Sequence, residues 1–121
     1  MKYVNEKLHE FEEFIRYKKV AIIGIEKSNL PLLDYLCDKK ATVIVFDKRN
    51  IDEIEKEILD KITGRCIKFY FGENCLINLV GYDLIFRNPK YKYYEYAINA
   101  EKLRGAIITT EYEMLMELCP R

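Results

Sequence analysis

Tryptophan is absent, histidine occurs once, and glycine and proline are sparse at five and three among 121 residues. So few breakers exclude a fibrous or linker-like chain. Charge of one sign is missing too: twenty Lys and Arg balance twenty Asp and Glu. Without a basic excess, neither nucleic acid nor a membrane surface is an expected partner. No run approaches the ~18 apolar residues of a membrane span, and Met1–Lys7 carries charges where a signal peptide has its apolar stretch. The expectation is a cytoplasmic chain. The cysteines Cys37, Cys66, Cys75 and Cys119 form no C-x-x-C pair and lie far from His9. Buried free thiols are expected rather than a zinc site or a disulfide framework.

What is present is hydrophobic residue, half of the chain. That is enough for a core, and the length predicts one domain over residues 1–121. Leu8, Phe11, Phe14 and Ile15 recur at helical spacing. The continuous runs Val20–Ile23 and Thr42–Phe46 read as strands buried on both faces, as in parallel sheets. Between them Ser28 can cap a helix carrying Leu30, Leu33 and Leu36, with Pro31 in its first turn. Ile51, Ile54, Ile58, Leu59 and Ile62 predict one helical face that Gly64 ends. Strands follow at Cys66–Phe71, Leu84–Phe86 and Ala106–Ile108. Between and after them come a short helix at Asn74–Leu79, a helix marked by Tyr94, Ala97, Ile98 and Leu103, and a last helix at Glu111–Leu118 stopped by Pro120.

Strand alternating with helix implies crossover connections. The expected fold is α/β: a Rossmann-like three-layer sandwich whose five-stranded, mostly parallel sheet has order 3-2-1-4-5. Ligands of such sheets bind at the switch point, outside the carboxyl ends of the strands. That places function in the loops Gly24–Asn29, Asp47–Asn50, Gly72–Asn74 and Arg87–Lys92.

In the first loop, a helix N-terminus offers free N–H groups to a phosphate. Ser28 there is either a hydroxyl donor or a plain cap. The glycine fingerprint G-x-G-x-x-G is not met, because Glu26 and Asn29 hold its second and third positions. Glu26 is expected to repel a diphosphate. Asp47 ends the second strand, where a carboxylate can accept from a ribose or base, and Arg49 can stack on a base. The alternative is an ordinary solvated loop. Arg87–Tyr96 mixes bases and tyrosines, but the stretch is short. Pro89 turning the chain, with tyrosines packed on neighbours, suits it better than stacking of single-stranded nucleic acid. His9 has no triad partners, and the sequence holds no G-x-x-x-x-G-K-[ST] loop. No catalytic residues and no metal ligands are assigned.

Four segments together resemble the Mur ligases. They are V-A-I-I-G-I-E-K-S-N-L-P-L-L (20–33), V-I-V-F-D-K-R (43–49), G-Y-D-L-I-F-R-N-P (81–89), and I-T-T-E-Y-E with E-L-C-P (108–113, 117–120). Their order and spacing are similar to those of the D-glutamate-adding branch. The resemblance implies an amino-terminal domain that holds the uridine diphosphate end of UDP-N-acetylmuramoyl-L-alanine for peptidoglycan synthesis. Other domains of the parent ligase would bind ATP, magnesium and D-glutamate, so this chain alone would need no cofactor and be inactive. By position, Asp47 and Arg49 would contact the uracil, and Lys48 between them counts with the UDP-binding residues. Lys27, Ser28 and Asn29 would lie along the phosphates, Gly24 counts with the UDP-binding residues, and Gly72, Glu73 and Asn74 would border the uridine. Asn88 and Pro89 would stand in the family's S/T-P segment. The residues by themselves also admit a stand-alone Rossmann-type NAD-binding regulatory domain, or a purely structural interaction module.

Overall fold

The computed structural model describes residues 6–88 and 95–118. Five strands form one parallel sheet in the order β3-β2-β1-β4-β5. They are β1 Lys19–Ile23, β2 Thr42–Asp47, β3 Lys68–Phe71, β4 Leu84–Arg87 and β5 Ile107–Thr109. The helices are α1 Glu6–Ile15, α2 Leu30–Asp38, α3 Lys56–Gly64, α4 Glu95–Leu103 and α5 Glu111–Leu118. The expected order and fold class are those observed.

β1 is central, pairing Val20 with Val43 and with Leu84, and Ile22 with Val45 and with Phe86. Side chains alternate across a strand, so β1 feeds two cores. Val20 and Ile22 face Ile15 of α1, Leu33 and Leu36 of α2, Ile58 and Ile62 of α3 and Met114 of α5. Ala21 and Ile23 face Cys75, Leu79 and Tyr82 of the β3–β4 connection and Ile98 of α4. Helical layers therefore cover both faces, as β-branched runs without polar alternation require. Burial among these groups pushes the Tyr82 phenol up to about 12, so it packs as a neutral ring against Phe46.

Several local expectations change. The helical face from Ile51 to Ile62 is not one helix. A 3₁₀ turn at Ile51–Glu53 is closed by the Asn50 N–H donating to Glu53 Oε1 at 2.9 Å. Ile54 and Glu55 then run extended before α3 begins. The Asn74–Leu79 helix is a 3₁₀ turn, Cys75–Asn78. Cys66 lies in a left-handed turn rather than in β3 and is exposed, Cys37 is half-buried, and only Cys75 among the described cysteines is buried. Leu103 points into solvent. Pro89, Tyr94, Cys119 and Pro120 lie outside the described residues. No helix among the described residues is long and apolar enough to cross a membrane.

Candidate functional site at the strand switch point

β1 and β4 are neighbours in space whose following helices leave on opposite faces of the sheet. A crevice opens between their carboxyl ends, and here it encloses about 200 Å³. Its walls come from three segments: Gly24, Glu26, Ser28 and Asn29 after β1; Arg87 and Asn88 at the end of β4; and Thr110, Glu111 and Tyr112 where α5 begins. Gly24 turns the chain out of β1 at φ +80, a left-handed conformation that suits glycine.

The first loop is not capped by Ser28. A 3₁₀ turn, Lys27–Asn29, precedes α2, and Glu26 stands at its N-cap. The Glu26 N–H donates to Asn29 Oδ1 at 2.9 Å, and the Asn29 N–H donates to the Glu26 carbonyl at 2.9 Å. Asn29 is thereby fixed, and its Nδ2 donates to Glu111 Oε2 at 2.8 Å. Across the crevice, Asn88 Nδ2 donates to Glu26 Oε1 at 3.2 Å. These contacts stitch three loops together over the crevice. Glu111 sits in the first turn of α5, where a carboxylate complements the helix dipole. Thr110 Oγ1 caps the same helix by accepting the Glu113 N–H at 3.0 Å.

Asp47 departs most from expectation. Its strand end was expected in solvent, with the carboxylate free for a base or ribose. The side chain is instead fully buried. Oδ1 accepts the Arg49 N–H at 2.9 Å and Arg49 Nε at 3.1 Å. Oδ2 accepts the Ile25 N–H at 2.9 Å and Arg49 Nη2 at 3.1 Å. Two donors on each oxygen fill the four lone-pair positions of a carboxylate. Arg49 Nη2 also donates to the Ile25 carbonyl at 2.7 Å, and Nη1 reaches Glu55 Oε1 at 3.4 Å. The pair therefore clamps the β1 loop to the β2 loop. Asp47 is thereby a positioning residue for these two loops.

The remaining sequence-predicted residues divide between two places. Gly24, Ser28, Asn29 and Asn88 line the crevice. Lys27 does not: it is exposed and pairs with Glu57 of α3 at 3.5 Å. Gly72, Glu73 and Asn74 line a different, open hollow of about 610 Å³ beside Asn50, Phe69 and Phe71 at the β3 edge. Gly72, at φ +111, donates its N–H to the carbonyls of Asp47 and Arg49, so the β2 loop carrying Lys48 lies against this hollow. Pro89 is outside the described residues. Glu111 and Tyr112 were read as the start of a helix and as part of a family segment, not as site residues. The hydrogen bond joining Asn29 to Glu111 spans 82 positions, and no spacing rule announces it.

Along the sequence, 118 residues match the UDP-N-acetylmuramoylalanine–D-glutamate ligase of Acetivibrio thermocellus at 42% identity, covering 97% of this chain and 25% of that protein. The chain is similar to the N-terminal domain of a Mur ligase. The ligases of the same name from Clostridium tetani and Clostridium acetobutylicum match at 38% over 117 residues and 35% over 112 residues. The chain thus spans about a quarter of the length of these ligase relatives. No family model matches it. Among solved structures, the A chain of Bacillus subtilis dipicolinate synthase superposes with a TM-score of 0.58 at 12% identity, covering 86% of this chain and 36% of that one. That likeness is one of fold.

Proposed function

We propose that this domain holds the uridine end of UDP-N-acetylmuramoyl-L-alanine for a cytoplasmic ligase that adds D-glutamate in peptidoglycan synthesis. The observation that carries the reading is the 35–42% identity to D-glutamate ligases across nearly the whole chain. The crevice supplies a place for the ligand, because open parallel sheets bind ligands at the switch point. Gly24, Ser28, Asn29 and Asn88 face it, and Asp47 with Arg49 keeps the first loop in position. Lys48, Gly72, Glu73, Asn74 and Pro89 belong to the reading through the family resemblance. ATP, magnesium and D-glutamate fall to other domains of the parent, and this chain contributes binding, with no bond-forming step of its own.

The dinucleotide alternative is weaker on this geometry. It needs an acid at the end of β2 free to accept from a ribose hydroxyl, and Asp47 has four N–H donors already. Calorimetric titration of the chain with UDP-N-acetylmuramoyl-L-alanine and with NAD distinguishes the two. Saturable binding of the muramoyl nucleotide, at least tenfold tighter than NAD, is the expected result. Preference for NAD would reverse the assignment.

A further inference from the structure

The first loop of the crevice is fastened at two points. Asp47 and Arg49 hold it at Ile25. Farther along, α5 holds it at Asn29. Asn29 Nδ2 donates to Glu111 Oε2 at 2.8 Å while Asn29 Oδ1 accepts the Glu26 N–H at 2.9 Å. Asn29 and Glu111 are both half-buried, so the bond between them is partly shielded from competing water. Glu111 is itself well anchored. Thr110 caps α5 through the Glu113 N–H, and Met114, one turn on, is buried in the core with Ile15 and Leu33.

A carboxamide has one accepting side and one donating side, which a half-turn about its last bond exchanges. The Glu26 N–H can only donate, and an ionised Glu111 can only accept. One orientation of Asn29 therefore satisfies both neighbours, and the other satisfies neither. The bond to Glu111 is charge-assisted, the stronger kind. Without it, Nδ2 loses its partner on α5, and the side-chain half of the turn's closure, Asn29 Oδ1 on the Glu26 N–H, is no longer held from behind.

We propose that Glu111 is a positioning residue for nucleotide binding: acting through Asn29, it sets the shape of the turn at residues 26–29 that faces the ligand. This role rests on the uridine-nucleotide reading and adds to it a residue of α5, 82 positions from its partner in the chain. The task of Glu111 is to orient Asn29, and the task of α5 is to hold Glu111 still.

The test is calorimetric titration of UDP-N-acetylmuramoyl-L-alanine into the full chain and its variants, with circular dichroism confirming that each is folded. Glu111→Ala should weaken binding about tenfold, the loss of one hydrogen bond to a charged acceptor. Glu111→Gln keeps an acceptor oxygen and should stay within about threefold of wild type, since a neutral acceptor retains part of the bond. In an Asn29→Ala background, Glu111→Ala should change affinity by less than about twofold, because the partner it acts through is already gone. Amide hydrogen exchange reads the same link without ligand. The Glu26 N–H should exchange several-fold faster in Glu111→Ala and in Asn29→Ala, while the Ile25 N–H, held by Asp47, keeps its wild-type rate. If Glu111→Ala binds as wild type does, if the two alanine changes add, or if Glu26 exchange is unchanged or rises together with that of Ile25, the proposal is overturned while the nucleotide reading stands. If the wild-type chain does not bind the muramoyl nucleotide, the nucleotide reading fails and this role fails with it.

Discussion

Asp47→Ala should destabilise the domain by about 3–5 kcal/mol, the usual cost of removing one member of a buried ion pair. The substitution leaves the Ile25 N–H and the Arg49 N–H without their acceptor and strips a 28%-exposed guanidinium of its main partner. Domains of this size are stable by ~5–15 kcal/mol, so the variant should sit near the edge of folding. Urea unfolding followed by circular dichroism measures it as a lower midpoint at an unchanged slope. Because Asp47 and Arg49 act as one clamp, Asp47→Ala/Arg49→Ala should cost less than the sum of the single changes, by about 1–3 kcal/mol. A midpoint for Asp47→Ala within about 0.5 kcal/mol of wild type, the range of ordinary surface changes, would show that the clamp contributes nothing.

Glu101→Ala should be comparably severe, and it acts far from the crevice. Glu101, on α4, is 1% exposed. Its Oε1 accepts the Gly81 N–H at 2.8 Å and the Tyr82 N–H at 3.2 Å, and Oε2 pairs with Arg104. The carboxylate thus fastens α4 to the turn that leads into β4. Alanine would leave two backbone donors without their acceptor at about 1–3 kcal/mol each, together with a small cavity. A total of about 3–5 kcal/mol is expected. Glu101→Gln keeps one acceptor oxygen and should recover about half of the loss in the same unfolding experiment. Equal midpoints for the alanine and glutamine variants would mean that the carboxylate oxygen is not what holds the turn.

The sheet was legible because its signal is local and redundant. Val20–Ile23 and Thr42–Phe46 are apolar on both faces, and only a sheet covered on both sides buries such runs. The intervening helical spacing then leaves few topologies open. Details that depend on pairs distant in sequence were not legible. Whether Ser28, Glu26 or Asn29 organises the first turn depends on where Glu111 and Asn88 arrive. The stop between Ile51 and Ile58 follows from the Asn50–Glu53 closure, which competes with a continuous helix although the apolar spacing suits either. Asp47 illustrates the limit best. A strand-end acid beside Lys48 and Arg49 reads as surface charge, and only the approach of the Ile25 backbone and the fold-back of Arg49 reveal a buried, saturated carboxylate. Lys27 was placed on the phosphates by its neighbours in sequence, yet Glu57 of α3 draws it to the other side.

In the proposed function the ligand sits in the crevice between β1 and β4. Amide chemical-shift mapping on the ¹⁵N-labelled chain, titrated with UDP-N-acetylmuramoyl-L-alanine, tests that directly. Saturable shifts are predicted at Gly24, Glu26, Ser28, Asn29, Asn88 and Tyr112, with little change at Lys19, Gly81 or Asp83 at the opposite end of the sheet. Shifts centred on Gly72–Asn78 and Phe69 at the β3 edge, leaving the crevice residues unmoved, would contradict it.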